Sequence, residues 1–299
     1  IAGQQLPSWN RSVLDRWIKR SLERNDDSRP VIAHSGVLPH IPQFDGTDSH
    51  LYFGWYHGNE RDLPRFAAAM PSMVRFVSEF GAQAVPDTDD FIEPHRWPVL
   101  DWERLGRRHA LQKDIFDRRI PPSEYSTFDA WRLATQNYQA LLLKHHIETL
   151  RRLKYRPTGG FCLFSFTDGH PAISWSILDH ERRPKRAFAA VAEACRPVIV
   201  VADRLPATVA PGATLALDIH VVNDLRVPLE NAVVTARISW PGGDDTHRFI
   251  GDVPIDDCAR VGTVSVSVPD ARGLLTLDLT LEHDRATVSN RYDALIGPA

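Results

Sequence analysis

Arg75-Phe76-Val77-Ser78-Glu79-Phe80-Gly81 is an apolar run that meets a carboxylate and then ends at a glycine. A short run of this kind is typical of a buried strand in a parallel sheet. In a β/α barrel the reactive side chains lie at the carboxyl ends of such strands. Glu79 is therefore the first candidate for a catalytic residue, and the stretch predicts a β/α fold for the part of the chain around it.

The neighbouring sequence has the same character up to about residue 195. Helical stripes over residues 13–22, 63–70, 127–153 and 184–194 alternate with short apolar runs, and Ser8 is a candidate cap for the first helix. The runs predict strands near Val31, His50, Val77 and Phe161, and residues 86–122 predict a long loop with short helices. A closed barrel needs eight strands in ~250 residues, so the pattern indicates half a barrel.

The pattern changes at Arg196-Pro197, where strict alternation begins. Leucines at 275, 277, 279 and 281 alternate with polar residues, as do the apolar residues of 215–221 and 264–268. Half-buried strands separated by turns predict an all-β sandwich of ~100 residues. We therefore predict two domains, residues 1–197 and 198–299.

Composition excludes several classes of protein. The chain has 299 residues, is 43% hydrophobic and 24% charged, and has a net charge of −3. No apolar run approaches the ~20 residues that span a bilayer, and no basic block indicates a nucleic-acid or membrane-surface partner. Its three cysteines are widely separated, which argues against a disulfide framework and predicts buried, unpaired thiols.

Three segments resemble glycoside hydrolase family 2. Phe76–Gly81, with Gln83 and Pro86 after it, resembles the nucleophile strand of that family. His50-Leu51-Tyr52, followed by Trp55-Tyr56-His57-Gly58, resembles a segment of its β-mannosidase-like members, one residue out of step. The run 166–179 resembles the end of the family's eighth strand, although Phe164 stands where a sugar-stacking tryptophan is usual.

The resemblance implies an α/β fold that is the second half only of a (β/α)8 TIM barrel, followed by an immunoglobulin-like sandwich. It implies a retaining β-glycosidase with Glu79 as nucleophile, an acid/base glutamate upstream of residue 1, and no cofactor or metal. The expected partners are a β-glycoside or oligosaccharide substrate and the missing barrel half and β-domains of the same polypeptide. The implied substrate-binding residues are His50, Tyr52, Trp55, His57, Phe164 and Asp168.

Several alternatives stay open at this point. Glu60, in Gly58-Asn59-Glu60, is a weaker catalytic candidate and is otherwise expected to be a solvated residue at a helix N-terminus. Asp168 either contacts a sugar hydroxyl or caps its loop, and the aromatic residues after His50 either line the site or pack in the core. The chain is alternatively a non-catalytic carbohydrate-binding relative, or a truncated product that is inactive on its own.

Overall fold

The computed structural model describes residues 13–32, 35 and 48–297. These residues divide into two compact units, one drawn from the chain up to Leu150 and from Tyr155–Val191, the other from Arg151–Lys154 and from Ala192 onward. The first unit is a mixed α/β structure with a parallel sheet. The second consists of antiparallel sheets that pack as a sandwich.

The parallel sheet of the first unit has the order β1-β2-β3. Strand β2 (Phe76–Glu79) lies in the middle, between β1 (Ser49–His50) and β3 (Gly160–Phe161). Ser49 pairs with Val77, but His50 pairs with Glu79, so that Ser78 is an extra residue on β2. A bulge of this kind bends a strand and re-aims the side chains beside it.

Three of the four predicted barrel strands are present. The strands predicted at His50, Val77 and Phe161 are β1, β2 and β3. Around the strand predicted near Val31, residues 30–32 and Ser35 have no strand structure, while Ala33, His34 and Gly36 lie outside the described residues. The sheet of the described part of the chain is therefore three-stranded.

The helices follow the predicted stripes. Ser8, the candidate cap of the first helix, lies outside the described residues. The predicted loop 86–122 contains two short helices, and the side chain of Asp101 caps the first of them by accepting from Arg104 N. The helices are α1 (Asp15–Asn25), α2 (Leu63–Ala69), α3 (Trp102–Arg108), α4 (Lys113–Arg119), α5 (Phe128–Arg152) and α6 (Arg186–Ala194).

The second unit contains two sheets, with strand orders β5-β11-β10-β7-β8 and β4-β6-β9. The alternating leucines of β10 all point inward and are fully buried, as their period of two predicts. The strands are β4 (Val198–Ala202), β5 (Thr208–Val209), β6 (Thr214–Asn223), β7 (Leu229–Trp240), β8 (Gly243–Val253), β9 (Asp257–Ser267), β10 (Gly273–His283) and β11 (Ala286–Ile296).

Two further findings concern the whole of the described chain. None of its described helices has the length and apolar character needed to cross a membrane. All three cysteines are free, but Cys162 and Cys195 are exposed and Cys258 is only half-buried. The prediction of buried thiols was wrong because short apolar runs do not reveal which face of a strand or helix end is covered.

Candidate active site

Glu79 is the last residue of the central strand β2, and its side chain is 30% exposed. Its backbone is held on both sides, because Leu51 N donates to Glu79 O at 2.9 Å and Phe164 N donates to Phe80 O at 3.0 Å. A Cβ atom at Gly81 would lie 2.4 Å from Phe164 O, so glycine is needed there for the close approach. The carboxylate is thus presented to solvent from a fixed backbone.

One oxygen of the Glu79 carboxylate has two polar neighbours. The Tyr52 hydroxyl donates to Oε2 at 2.9 Å, and Nδ1 of His50 lies 3.0 Å from the same oxygen. Among the described residues, none donates a hydrogen bond to Oε1. The carboxylate therefore has a held oxygen and a free one, and the free oxygen is available to an electrophile.

Tyr52 is suited to act as a permanent donor. Burial, and after it the charge of Glu79, raises the pKa of the Tyr52 hydroxyl well above its usual range. The hydroxyl is therefore protonated at any physiological pH. Burial likewise raises the pKa of the adjacent Tyr56.

A series of aromatic rings leads away from Tyr52. The Tyr56 ring lies 5.0 Å from Tyr52 and 6.4 Å from Trp175, and the Trp175 ring lies 5.6 Å from Phe164. Tyr56 and Phe164 are exposed. Phe164, which the resemblance implied for substrate binding, is thus connected to Tyr52 and Glu79 through the rings of Tyr56 and Trp175. The resemblance did not assign these two rings to the site, and the only sequence signal for Tyr56 was the high aromatic content of its turn.

The other two residues of that turn lie elsewhere. Trp55 is fully buried, its ring packs edge-on against Phe116 at 5.2 Å, and its Nε1 donates to Gln112 at 3.0 Å. His57 is partly exposed and packs edge-on against Phe53 at 4.8 Å, and partial desolvation, followed by the charge of Arg119, lowers its pKa. Neither is in the ring series, and their role in substrate binding stays a prediction.

Asp168 belongs to a buried polar cluster. Its two oxygens accept the hydroxyls of Ser174 and Ser176, each at 2.5 Å. Lys185 is also buried, and its Nζ donates to Ser176 Oγ at 3.1 Å and to Ala84 O at 3.1 Å. The carboxylate of Asp168 is therefore satisfied by the protein, which favours the structural alternative over a sugar contact.

Glu60 is not the solvated residue that the sequence predicted. It begins a short 3-10 helix, Glu60–Asp62, and is only 6% exposed. Its carboxylate lies 3.6 Å from Nε of Arg61, and Asn59 caps the helix. The local sequence correctly indicated a helix start but not that packing would cover the first side chain. No group of metal-binding side chains occurs within residues 13–32, 35 and 48–297.

The chain is similar to several known proteins, although no family model matches it. β-Mannosidase B of Aspergillus niger is 30% identical over 219 residues, which are 68% of this chain and 25% of that protein. β-Mannosidase B of Neosartorya fischeri is 33% identical over 164 residues, 51% of this chain and 19% of that protein.

Solved structures share the fold. The β-D-mannosidase from Dictyoglomus thermophilum has a TM-score of 0.58 at 18% identity, over 84% of this chain and 30% of that one. A complex of the exo-chitosanase of Amycolatopsis orientalis with PNP-β-D-glucosamine has a TM-score of 0.63 at 12% identity, over 94% of this chain and 34% of that one. The chain thus spans 19% to 34% of these proteins' lengths. It is a relative of the β-mannosidases of glycoside hydrolase family 2, and it shares its fold with an exo-chitosanase.

Proposed function

We propose that this chain carries the nucleophile side of the active site of a retaining β-glycosidase, with Glu79 as the nucleophile. The observation that carries the proposal is the asymmetry of the carboxylate, since Tyr52 and His50 both contact Oε2 while no residue of the described part of the chain donates to Oε1. Donors on the inner oxygen stabilise the charged form and fix its orientation, which is what a carboxylate nucleophile needs.

In the proposed reaction Oε1 attacks the anomeric carbon as the bond from that carbon to the leaving oxygen breaks. A second carboxylic acid gives its proton to the leaving oxygen and then removes a proton from the water that hydrolyses the glycosyl-enzyme. Tyr52 and His50 support Glu79 in both steps. The Tyr52 hydrogen bond and the His50 contact hold the carboxylate before the attack and again when it departs from the sugar.

We propose that the acid/base glutamate comes from a part of the polypeptide upstream of residue 1. The proposed architecture is the second half of a (β/α)8 barrel, residues 1–197, followed by an immunoglobulin-like domain, residues 198–299. The three-stranded parallel sheet supports this architecture. The structural match to a β-D-mannosidase supports it as well, because the match covers 84% of this chain but only 30% of that enzyme.

The proposed substrate is a β-linked mannoside or glucosaminide, alone or at the end of an oligosaccharide. Mannose occurs in the name of β-mannosidase B, and the exo-chitosanase complex contains PNP-β-D-glucosamine. The exposed ring of Phe164 offers an apolar face for the C–H surface of a sugar, without the N–H donor of a tryptophan. His50 and Tyr52 would meet the sugar at the anomeric end.

The test is covalent trapping with 2-deoxy-2-fluoro-β-mannosyl and β-glucosyl fluorides, applied to the chain alone and to the complete polypeptide that contains it. We expect a glycosyl adduct in the intact mass and in the peptide that contains Glu79. Glu79→Gln is expected to abolish it. Glu103→Gln, which changes an exposed carboxylate on α3, is the matched control and is expected to keep it.

Each outcome separates the alternatives. An adduct on the complete polypeptide only would show that the chain by itself is an incomplete enzyme. A folded complete polypeptide that forms no adduct with either sugar would contradict the proposal and favour a carbohydrate-binding relative without hydrolysis.

A further inference from the structure

Behind the proposed nucleophile lies a buried acid, Asp48, which immediately precedes β1 and is 3% exposed. The hydroxyls of Ser35 and Ser78 both donate to its Oδ2. Its Oδ1 accepts no hydrogen bond from any residue of the described ranges. A buried carboxylate is costly without a compensating positive charge nearby.

The nearest candidate for this positive charge is His50, which Asp48 reaches through the Ser35 hydroxyl. Ser35 Oγ lies 3.3 Å from Nε2 of His50. A serine hydroxyl has one proton, and Ser35 gives that proton to Asp48. Its oxygen can therefore only accept from His50, which requires a proton on Nε2.

The other ring nitrogen of His50 faces a second carboxylate. Nδ1 lies 3.0 Å from Oε2 of Glu79, and an ionised carboxylate only accepts. This contact requires a proton on Nδ1. Together the two contacts call for a proton on each ring nitrogen of His50, which faces Asp48 through Ser35 on one side and Glu79 on the other.

We propose that Asp48 is a positioning residue for the nucleophile, which it serves by holding His50 doubly protonated through Ser35. The proposal rests on the proposed role of Glu79. The alternation of charges, Asp48 negative, His50 positive and Glu79 negative, gives each charge an opposite neighbour. The His50 cation holds Oε2 inward and thereby directs Oε1 to the substrate.

The side chain of Ser78 provides a matched control. Ser78 belongs to the same strand as Glu79 and donates to the same oxygen of Asp48 as Ser35 does. Its Oγ lies 3.5 Å from Ser35 Oγ, but it is Ser35 whose hydroxyl contacts the His50 ring. Ser78→Ala therefore removes one hydroxyl from Asp48 and leaves the path to His50 intact.

The test is nuclear magnetic resonance of the imidazole groups in the ¹⁵N-labelled chain at neutral pH, with His50→Gln to assign the signals. We expect two ring N–H groups on His50 in the wild type and in Ser78→Ala. We expect only one in Asp48→Asn and in Ser35→Ala. The spectrum reports the protons of His50 whether or not Glu79 forms a glycosyl adduct, so the two proposals fail separately.

A wild-type His50 with a single ring proton would overturn the inference. A folded Asp48→Asn variant that keeps both protons would overturn it as well. If Asp48→Asn loses the dispersed amide spectrum of a folded protein, Ser35→Ala decides, because it breaks the path and leaves the buried acid in place.

Discussion

The two oxygens of the Glu79 carboxylate have different surroundings, and this difference comes from three side chains. Tyr52 lies two residues beyond the end of β1, His50 is the last residue of that strand, and Glu79 ends the neighbouring strand β2. Parallel pairing brings His50 directly opposite Glu79. The chemistry proposed for the site thus depends on the way in which two strands end.

Replacing Tyr52 with phenylalanine is expected to slow the trapping of Glu79. Without the Tyr52 donor the carboxylate is no longer fixed with Oε1 toward the sugar, so the rate of adduct formation is expected to fall at least ~10-fold. The measurement is the rate of inactivation by the fluoro sugar. Tyr125→Phe is the control, and an equal effect of both variants would contradict the assigned role.

Lys185 makes the stability of the molecule depend on pH. Burial lowers its pKa to about 8, whereas a lysine in an unfolded chain titrates at ~10.4. Between these values the unfolded chain binds more protons, so the free energy of unfolding rises with pH. This gain in the free energy of unfolding is absent below the folded-state pKa of about 8 and complete above the unfolded-state pKa of ~10.4.

Lys185→Met is expected to remove this dependence. The difference in unfolding free energy between wild type and variant is expected to change by ~3 kcal/mol in favour of the wild type as pH rises from ~7 to ~10. Urea denaturation across that range measures it. Lys19→Met, at a half-exposed lysine, is the control, and parallel curves for wild type and Lys185→Met would disprove the assignment.

At the scale of elements, the sequence predicts the helices and strands that are long enough to show a clear hydrophobic period. Alternating leucines correctly predicted β10, and the long apolar stripe predicted α5. Strands β1 and β3 have only two residues each, so no period specifies their ends.

The site depends on features without a period. The turn after Tyr52, in which Gly54 has a φ of 84°, decides that Tyr56 is exposed and Trp55 is buried. The contact between Ser35 and Asp48 joins residues that a sequence pattern does not connect. Glu79 could be predicted because it ends an apolar run that is recognisable as a buried strand. The residues that support it could not, because tertiary packing brings them together.

The end of β2 provides a test of element packing. Gly81→Ala would place a methyl group 2.4 Å from Phe164 O, where backbone must move, so we expect a loss of ~1–3 kcal/mol of stability. Gly169→Ala is the matched control because a Cβ there meets nothing within 4 Å. Urea unfolding followed by tryptophan fluorescence measures both, and equal stabilities would contradict the close approach.

At the scale of the molecule, the chain consists of two compact units. The second has a continuous core of buried aliphatic side chains, drawn from both of its sheets. Its strands pair antiparallel with neighbours, apart from the short parallel pair of β5 and β11. Such a core is what an independently stable sandwich requires.

A polypeptide of residues 192–299 is therefore expected to fold on its own. Within it, Leu279→Ala removes a fully buried side chain and is expected to cost ~2–5 kcal/mol. Leu274→Ala on the same strand, where the side chain is 52% exposed, is expected to cost less than ~0.5 kcal/mol. Denaturation curves test this, and a polypeptide without a cooperative transition would refute the independence of the unit.

The bulge at Ser78 has a consequence for how the chain tolerates changes in length. Because Ser78 has no partner on β1, exchanging its side chain leaves the pairing of His50 with Glu79 in place. Deleting the residue would move Glu79 into the place of Ser78, on the opposite face of the strand, and would bring Phe80, a buried core side chain, to the position opposite His50. At this point of the strand the number of residues matters more than their identity, so a single-codon deletion is expected to be far more damaging than a missense change.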